Sequence, residues 1–308
     1  MSGTYKATGI NLKTTPSGES DRLLTILTEE FGLIRAIAPG ARKHNSSLGG
    51  RSGLFVVNQL LIVQGRSLDK VIQAESLESY PGLSQSLSKL TAGQYLAELA
   101  LSQALSNQPQ SELLCLLREH LSRVERLPAT LACLTHASFH LLALAGITPQ
   151  VQECCVTRQV ITPDLGDPNW RIGFSVVSGG IVQLAEIRHL PYSLRPQKKS
   201  SPLSSTPSEG SSCSSAQQHP ELVTQLNALE LWLLQQLAQP NLIQELLQVD
   251  EAILQPTYQQ AWLSIERVLR HYAQYHLDRP IRSAALIDAC FVPANAPFSL
   301  SVNHDATV

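Results

Sequence analysis

Aromatic side chains are scarce in this sequence: only 5% of its 308 residues are Phe, Trp or Tyr. Just Tyr5, Phe31 and Phe55 precede residue 80, too few for a broad base-stacking platform. Charge is also sparse, at 16% of residues against a typical quarter. The net charge of −2 gives the chain no overall attraction for a polyanion. The longest apolar-rich runs, LFVVNQLLIV and HLLALAGI, are roughly half of what a bilayer span needs. MSGTYKATGINLK is too polar at its start for a secretory signal. The six cysteines show no even framework of spacings, so reduced thiols in a soluble cytoplasmic protein are expected, with no membrane partner. P-loop, nucleophile-elbow and dinucleotide fingerprints are missing. Glu29–Glu30 reads as a solvated turn pair rather than a catalytic one. The chain is therefore expected not to be an enzyme and to need no cofactor.

What is present is a change of period near residue 80. Ile10 and Leu12, then Leu24, Ile26 and Thr28, alternate with other residues at the spacing of strands. EEFG (29–32) reads as a turn, with Gly32 free to take a positive φ, and 33–38 as the return strand. Residues 56–65 and 68–77 read as two further strands around Gly65. Five short strands with turn signals between them predict a small barrel over 1–80. From Leu83 the spacing becomes helical, through Leu87, Leu90, Tyr95, Leu96 and Leu99. Helices are predicted over 111–127 and 129–146, the latter stopped by Gly146 and Pro149. The expected class is α+β: the barrel, then an all-α domain over 81–190 that resumes over 221–290. Between these, residues 191–220 contain ten Ser and five Pro and are expected to be disordered. Residues 291–308 read as a flexible tail.

One stretch answers for charge. Between Phe31 and Leu68 stand Arg35, Arg42, Lys43, Arg51 and Arg66, with no Asp or Glu. Cations on a Gly/Ser-rich segment suit phosphate contacts, which need charge and reach and release condensed counterions. The duller reading is a solvated loop that serves solubility; a barrel context favours DNA. A second basic run includes Arg267, Arg270 and His271, spaced three and four apart on a helix. It reads either as a dock for an acidic tail or DNA backbone, or as an ordinary solvated face. His136 and His140 have the i, i+4 spacing of a metal pair, but Ala137 stands where a metalloprotease needs Glu, and no metal is assigned. Cys115 and Cys133 read as small core residues.

The segments Y-K-A-T-G-I-N-L-K (5–13), G-E-S-D-R-L-L-T-I-L-T-E-E-F-G-L-I-R-A-I-A-P-G-A-R-K (18–43), L-A-G-I-T-P-Q-V-Q-E-C (144–154) and R-V-L-R-H-Y-A-Q-Y-H-L-D-R-P-I-R-S (267–283) together resemble the RecO family of bacterial recombination mediators. The resemblance implies an N-terminal OB barrel and a helical C-terminal domain. It implies binding of single- and double-stranded DNA, strand annealing, and work with RecR, with the acidic tail of single-stranded-DNA-binding protein, and with RecA, which it loads. It also implies a four-cysteine zinc site whose second pair follows a Gly-Gly. Here Gly179–Gly180 is followed by Ile181 to Glu186 with no cysteine, and the first pair is compressed to Cys154–Cys155. The zinc site is therefore expected to be degenerate or lost. The expectation for the whole chain is a DNA-binding repair mediator. The alternative is a non-enzymatic interaction scaffold on which the basic loop is incidental.

Overall fold

A computed structural model describes residues 3–185, 222–249 and 251–291. The expected insert at 191–220, and the expected tail from 292 onward, lie outside them. Contacts divide the chain into two compact units, with boundaries at Leu131/Ala132 and Pro280/Ile281.

The first unit opens with five strands: β1 Thr4–Ser17, β2 Asp21–Thr28, β3 Gly32–Ala38, β4 Val57–Val63 and β5 Asp69–Glu78. They close into a barrel of order β1-β2-β3-β5-β4. β1 is long enough to serve two neighbours. Its first half pairs with β4, from Thr4↔Val63 to Ile10↔Val57. Its second half pairs with β2, ending at Ser17↔Asp21. A bulge between Asn11 and Lys13 marks the change of partner, as bulges re-aim strands in small barrels. Closure comes from a short parallel contact, Ala36↔Asp69 and Ile37↔Lys70.

The alternation seen in the sequence does its work here. Ile34, Ala36 and Ala38 of β3 point inward with Leu24, Ile26, Leu60, Ile62 and Val71, while Arg35 points out. Each such Leu or Ile contributes on the order of 1.5–3 kcal/mol by leaving water. Gly32 has φ +65°, as the turn requires, and a Cβ there would lie 2.1 Å from the Leu105 carbonyl oxygen.

Two helices follow in this unit, α1 Leu87–Gln103 and α2 Ser111–Arg126; α3 Thr130–Leu144 starts at the boundary and lies almost wholly in the second unit. α1 lies against Phe55 through Gly93, where a Cβ would meet the ring at 3.1 Å. Arg118 of α2 pairs with Glu78 of β5 at 2.7 Å. α7 (Ala284–Phe291) returns to this unit, where Glu98 of α1 accepts the Arg282 N–H at 2.5 Å. Cys133 is buried as expected, whereas Cys115 is exposed.

The second unit corrects the all-helical expectation for its stretch of chain. It holds a three-stranded sheet of order β7-β6-β8, from β6 Arg171–Ser175, β7 Gly180–Val182 and β8 Leu222–Asn227. The pattern escaped notice because four of the five β6 residues and all of β7 are buried. Strands covered on both faces lose the alternation that betrays them. The helix expected from Glu221 begins only at Ala228. Asn227 caps it, accepting from the Glu230 N–H at 2.9 Å, while Glu230 reaches back to the Asn227 N–H at 2.7 Å. That helix is α4 (Ala228–Gln236), followed by α5 (Leu242–Val249) and α6 (Pro256–Leu277). His136 and His140 are structural ties: their Nε2 atoms donate to the carbonyls of Gln239 and Leu237 at 2.8 and 2.9 Å. α3 stops at Gly146, which has φ +74°. No helix of the described residues is long and apolar enough to cross a membrane.

Candidate nucleic-acid interface

The Gly/Ser-rich segment between β3 and β4 is not a loose loop. It is a chain of tight turns packed on one end of the barrel and held there by polar side chains from three strands. Ala41 and Leu48 enter the barrel core, and Phe55 is 3% exposed. Asn11 of β1 donates from Nδ2 to the carbonyls of Arg51 and Gly53, both at 2.8 Å. Asn58 of β4 donates to the same Arg51 carbonyl at 2.9 Å. Arg22 of β2 donates to the Gly49 carbonyl at 3.1 Å and the Ser52 hydroxyl at 2.9 Å. Asp21 accepts the Gly40 N–H at 2.7 Å and the Ser20 hydroxyl at 2.9 Å.

These bonds decide what the segment presents. Arg42 and Lys43 are exposed; Arg42 is steadied by its N–H to the Ser20 carbonyl at 2.8 Å and its guanidinium to the Gly18 carbonyl at 3.1 Å. Arg51 is half-buried, and its guanidinium donates to the Ser47 carbonyl at 2.6 Å. Three of the five predicted cations therefore stand on one fixed piece of backbone. The other two stand elsewhere. Arg35 is exposed on the outer face of β3, opposite Thr25. Arg66 is exposed in the β4–β5 turn, which Asp69 closes by accepting the Gly65 N–H at 3.0 Å. Ala36, next to Arg35, pairs with that same Asp69.

Asp21 reports the field at this end of the barrel. Its carboxyl is held below the usual 3.8, first by the Gly40 N–H and then by the Ser20 hydroxyl, with Lys43 and Lys70 adding attraction. Lys70, which pairs with Ile37 across β3 and β5, thus belongs with the basic group although it lies just outside the acid-free stretch. The opposite turn of the barrel carries Glu29 and Glu30, and Glu30 is committed to the Thr8 N–H at 2.9 Å.

Sequence reasoning missed Arg22, Asn11 and Asn58. The signal was available: both Asn residues are poor strand formers set beside apolar strand neighbours, Ile10 and Leu12 for Asn11 and Val57 for Asn58, and each is fully buried. Buried amide N–H groups need acceptors, and here the Arg51 and Gly53 carbonyls of the basic segment supply them. Phe31 is 37% exposed at the β2–β3 turn, edge-on to Tyr5 at 4.7 Å between ring centroids.

The second basic run is corrected. Arg267 and His271 are exposed on α6, but Arg270 is buried and ion-paired with buried Glu266. The helical step explains it. Position 270 lies about 100° around the helix from 271, which is enough to turn it from the solvent side to the packed side. The three residues do not form one exposed face.

Comparison with known proteins divides the chain where the barrel ends. Residues 1–80 match the family description "Recombination protein O N terminal", and residues 84–197 match "Recombination protein O C terminal". The protein is 56% identical to a "DNA repair protein RecO" of a Nostoc species, over all of both chains. It is 57% identical to one from a Cyanothece species, over 97% of this chain and 100% of that one. It is 40% identical to another from Gloeobacter violaceus, over 98% and 99% of the two chains. With a closed five-stranded OB-type barrel at its N-terminus and matches that run through both halves, the chain belongs to the RecO family.

Proposed function

We propose that this DNA repair protein acts as a non-catalytic recombination mediator whose barrel grips the phosphate backbone of single- and double-stranded DNA. The supporting observation is the basic segment 39–56, held rigid on the barrel end by Asn11, Arg22 and Asn58. Arg42 and Lys43 make the primary contacts, Arg51 shapes the segment, and Arg35, Arg66 and Lys70 extend the field along the barrel wall. A surface of fixed cations with few exposed rings favours charge-based, sequence-indifferent binding.

Annealing follows from the same physics. Two complementary strands repel one another until their phosphates are neutralised, and a cationic surface that holds one strand lowers the cost of bringing in the second. No bond is made or broken, so no nucleophile or general base is required. The RecO resemblance supports a cytoplasmic role with RecR, with the acidic tail of single-stranded-DNA-binding protein, and with RecA, whose loading onto coated strands the protein assists. Of the residues first considered for the acidic tail, only Arg267 and His271 remain exposed on α6.

A salt titration of single-stranded oligonucleotide binding tests this reading. Affinity is expected to fall steeply with salt. In Arg42→Ala/Lys43→Ala the slope of log K against log salt is expected to flatten by roughly 1.4, about 0.7 per lost phosphate contact. Undetectable binding in dilute buffer rejects the reading and returns the chain to an interaction scaffold.

A further inference from the structure

The four-cysteine zinc site implied by the family resemblance does not fit the residues present. Cys154 is fully buried at the start of a tight turn that the Arg158 N–H closes on the Cys154 carbonyl at 2.9 Å. Its sulfur accepts the Gln183 N–H at 3.4 Å. The Cys154 N–H donates to the Gln159 carbonyl at 2.9 Å. Around it, Thr157 Oγ1 donates to Gln183 Oε1 at 3.4 Å, and Gln183 Nε2 donates to Gln159 Oε1 at 3.2 Å. Gln183 directly follows β7, so the turn and the strand end are joined by these side chains. Cys155 adds its own N–H to the Ile181 carbonyl at 2.8 Å. From α4, Gln235 Nε2 donates to the carbonyls of Val151 and Ile161, both at 2.9 Å, and so clamps both limbs of the turn.

The donor set decides against a metal. A structural zinc takes four thiolate or imidazole ligands in a tetrahedron. Here the partners grouped around Cys154 are a hydroxyl and two neutral amides. Among the described residues, no trio of His, Cys, Asp and Glu gathers at Cys154. A buried thiol that accepts a backbone N–H needs no cation to satisfy it. Burial pushes the Cys154 thiol up, but the donors from Thr157, Gln183 and Val156 outweigh it and hold it below its ordinary value.

We propose that this turn is a metal-free counterpart of a zinc knuckle, in which Cys154, through its N–H, carbonyl and sulfur, is a hydrogen-bond hub and Thr157 and Gln183 occupy the places of missing thiolates. The β7 end and the 150–162 segment are joined by neutral hydrogen bonds, so the second unit folds and persists without zinc. The reading concerns folding alone and is independent of how the barrel meets DNA. Gln183 also lines an open cavity of about 480 Å³ with Val160, Trp170 and Leu184, so the same hub shapes that surface.

The test uses the full native chain, with zinc content by elemental analysis and thermal unfolding with and without a strong chelator. Substoichiometric zinc and an unchanged midpoint are expected. Gln183→Ala and Thr157→Val are each expected to lower the midpoint by about 2–4 °C, the shift for losing one such contact in a unit of this size. Thr157→Cys/Gln183→Cys is expected to gain zinc and a chelator-sensitive midpoint. Stoichiometric zinc in the native chain, or a midpoint that chelation lowers, overturns the proposal. So does a Gln183→Ala midpoint equal to that of the native chain, or a double-cysteine variant that takes up no zinc.

Discussion

Arg270 lies in the two-pronged grip of Glu266, one turn earlier on α6, with its Nε 3.0 Å from one carboxylate oxygen and its Nη2 against the other. Both residues are buried, at 8% and 1% exposure. Charges so placed are matched to one another and not to a visiting ligand. Removing one partner leaves the other uncompensated, which costs about 3–5 kcal/mol in buried pairs. Arg270→Ala is therefore expected to destabilise the protein by that amount in chemical denaturation. Arg267→Ala, on the solvent side of α6, is expected to change stability by less than about 0.5 kcal/mol. Equal, small effects from the two would contradict the burial of Arg270.

Arg22 is expected to matter more for DNA binding than its half-buried position suggests. It anchors the basic segment by its bonds to Gly49 and Ser52. Arg22→Gln removes bonds to a charged group worth about 1.5–3 kcal/mol without removing Arg42 or Lys43. Limited proteolysis is expected to open residues 39–56 several-fold faster, and oligonucleotide affinity is expected to drop with the salt slope nearly intact. A slope reduced as far as in Arg42→Ala/Lys43→Ala would mean that Arg22 touches phosphate itself.

Asp21 gives the barrel an acid limb. Its carboxyl titrates below 3.8 in the folded chain because the Gly40 N–H, the Ser20 hydroxyl and the nearby lysines favour the charged form. A lowered folded pKa adds stability above the unfolded value and loses it as pH falls through the folded one. Asp21→Asn keeps an acceptor but not the charge. Its melting temperature is expected to fall less steeply than that of the native chain below pH about 4. DNA affinity at neutral pH is expected to rise, because one anion has left the basic end. A native-like acid limb in the variant contradicts the assignment.

Gly32 cannot be replaced cheaply. Its φ of +65° costs an L-residue about 1–2 kcal/mol. An added Cβ also collides with the Leu105 and Gln108 carbonyl oxygens at 2.1 and 2.4 Å. Gly32→Ala is expected to destabilise by more than the conformational term alone, in equilibrium unfolding by urea. Gly18→Ala, at φ +61° with nothing within 4 Å, is expected to show the conformational term only.

The barrel was legible in the sequence because its strands are half-buried, and Ile34, Arg35 and Ala36 alternate as a pleated wall demands. The positive turn at Gly32 and the stop at Gly146 were legible because glycine has few other reasons to stand there. The order of the second unit's sheet was not, since β6 and β7 are covered on both faces and β8 lies far along the chain from its partner β6. Charge on the basic segment was plain, but its rigidity was hidden in buried Asn11 and Asn58, whose partners lie about 40 and 7 residues away. The inward turn of Arg270 depended on a single angular step that spacing alone blurs.

The double service of β1 has a kinetic corollary. Asn11 sits where β1 passes from β4 to β2, and its backbone pairs with Phe55 and Val56 just ahead of β4, so its amide meets residues 51–53 once β1 and β4 are joined. Joining strands this far apart in sequence carries a loop-closure cost that slows folding. A chain still emerging from the ribosome would display every arginine of the segment yet offer nothing for a strand to lie on until β4 had docked. Capture of an oligonucleotide would then serve as a clock for the docking of β4.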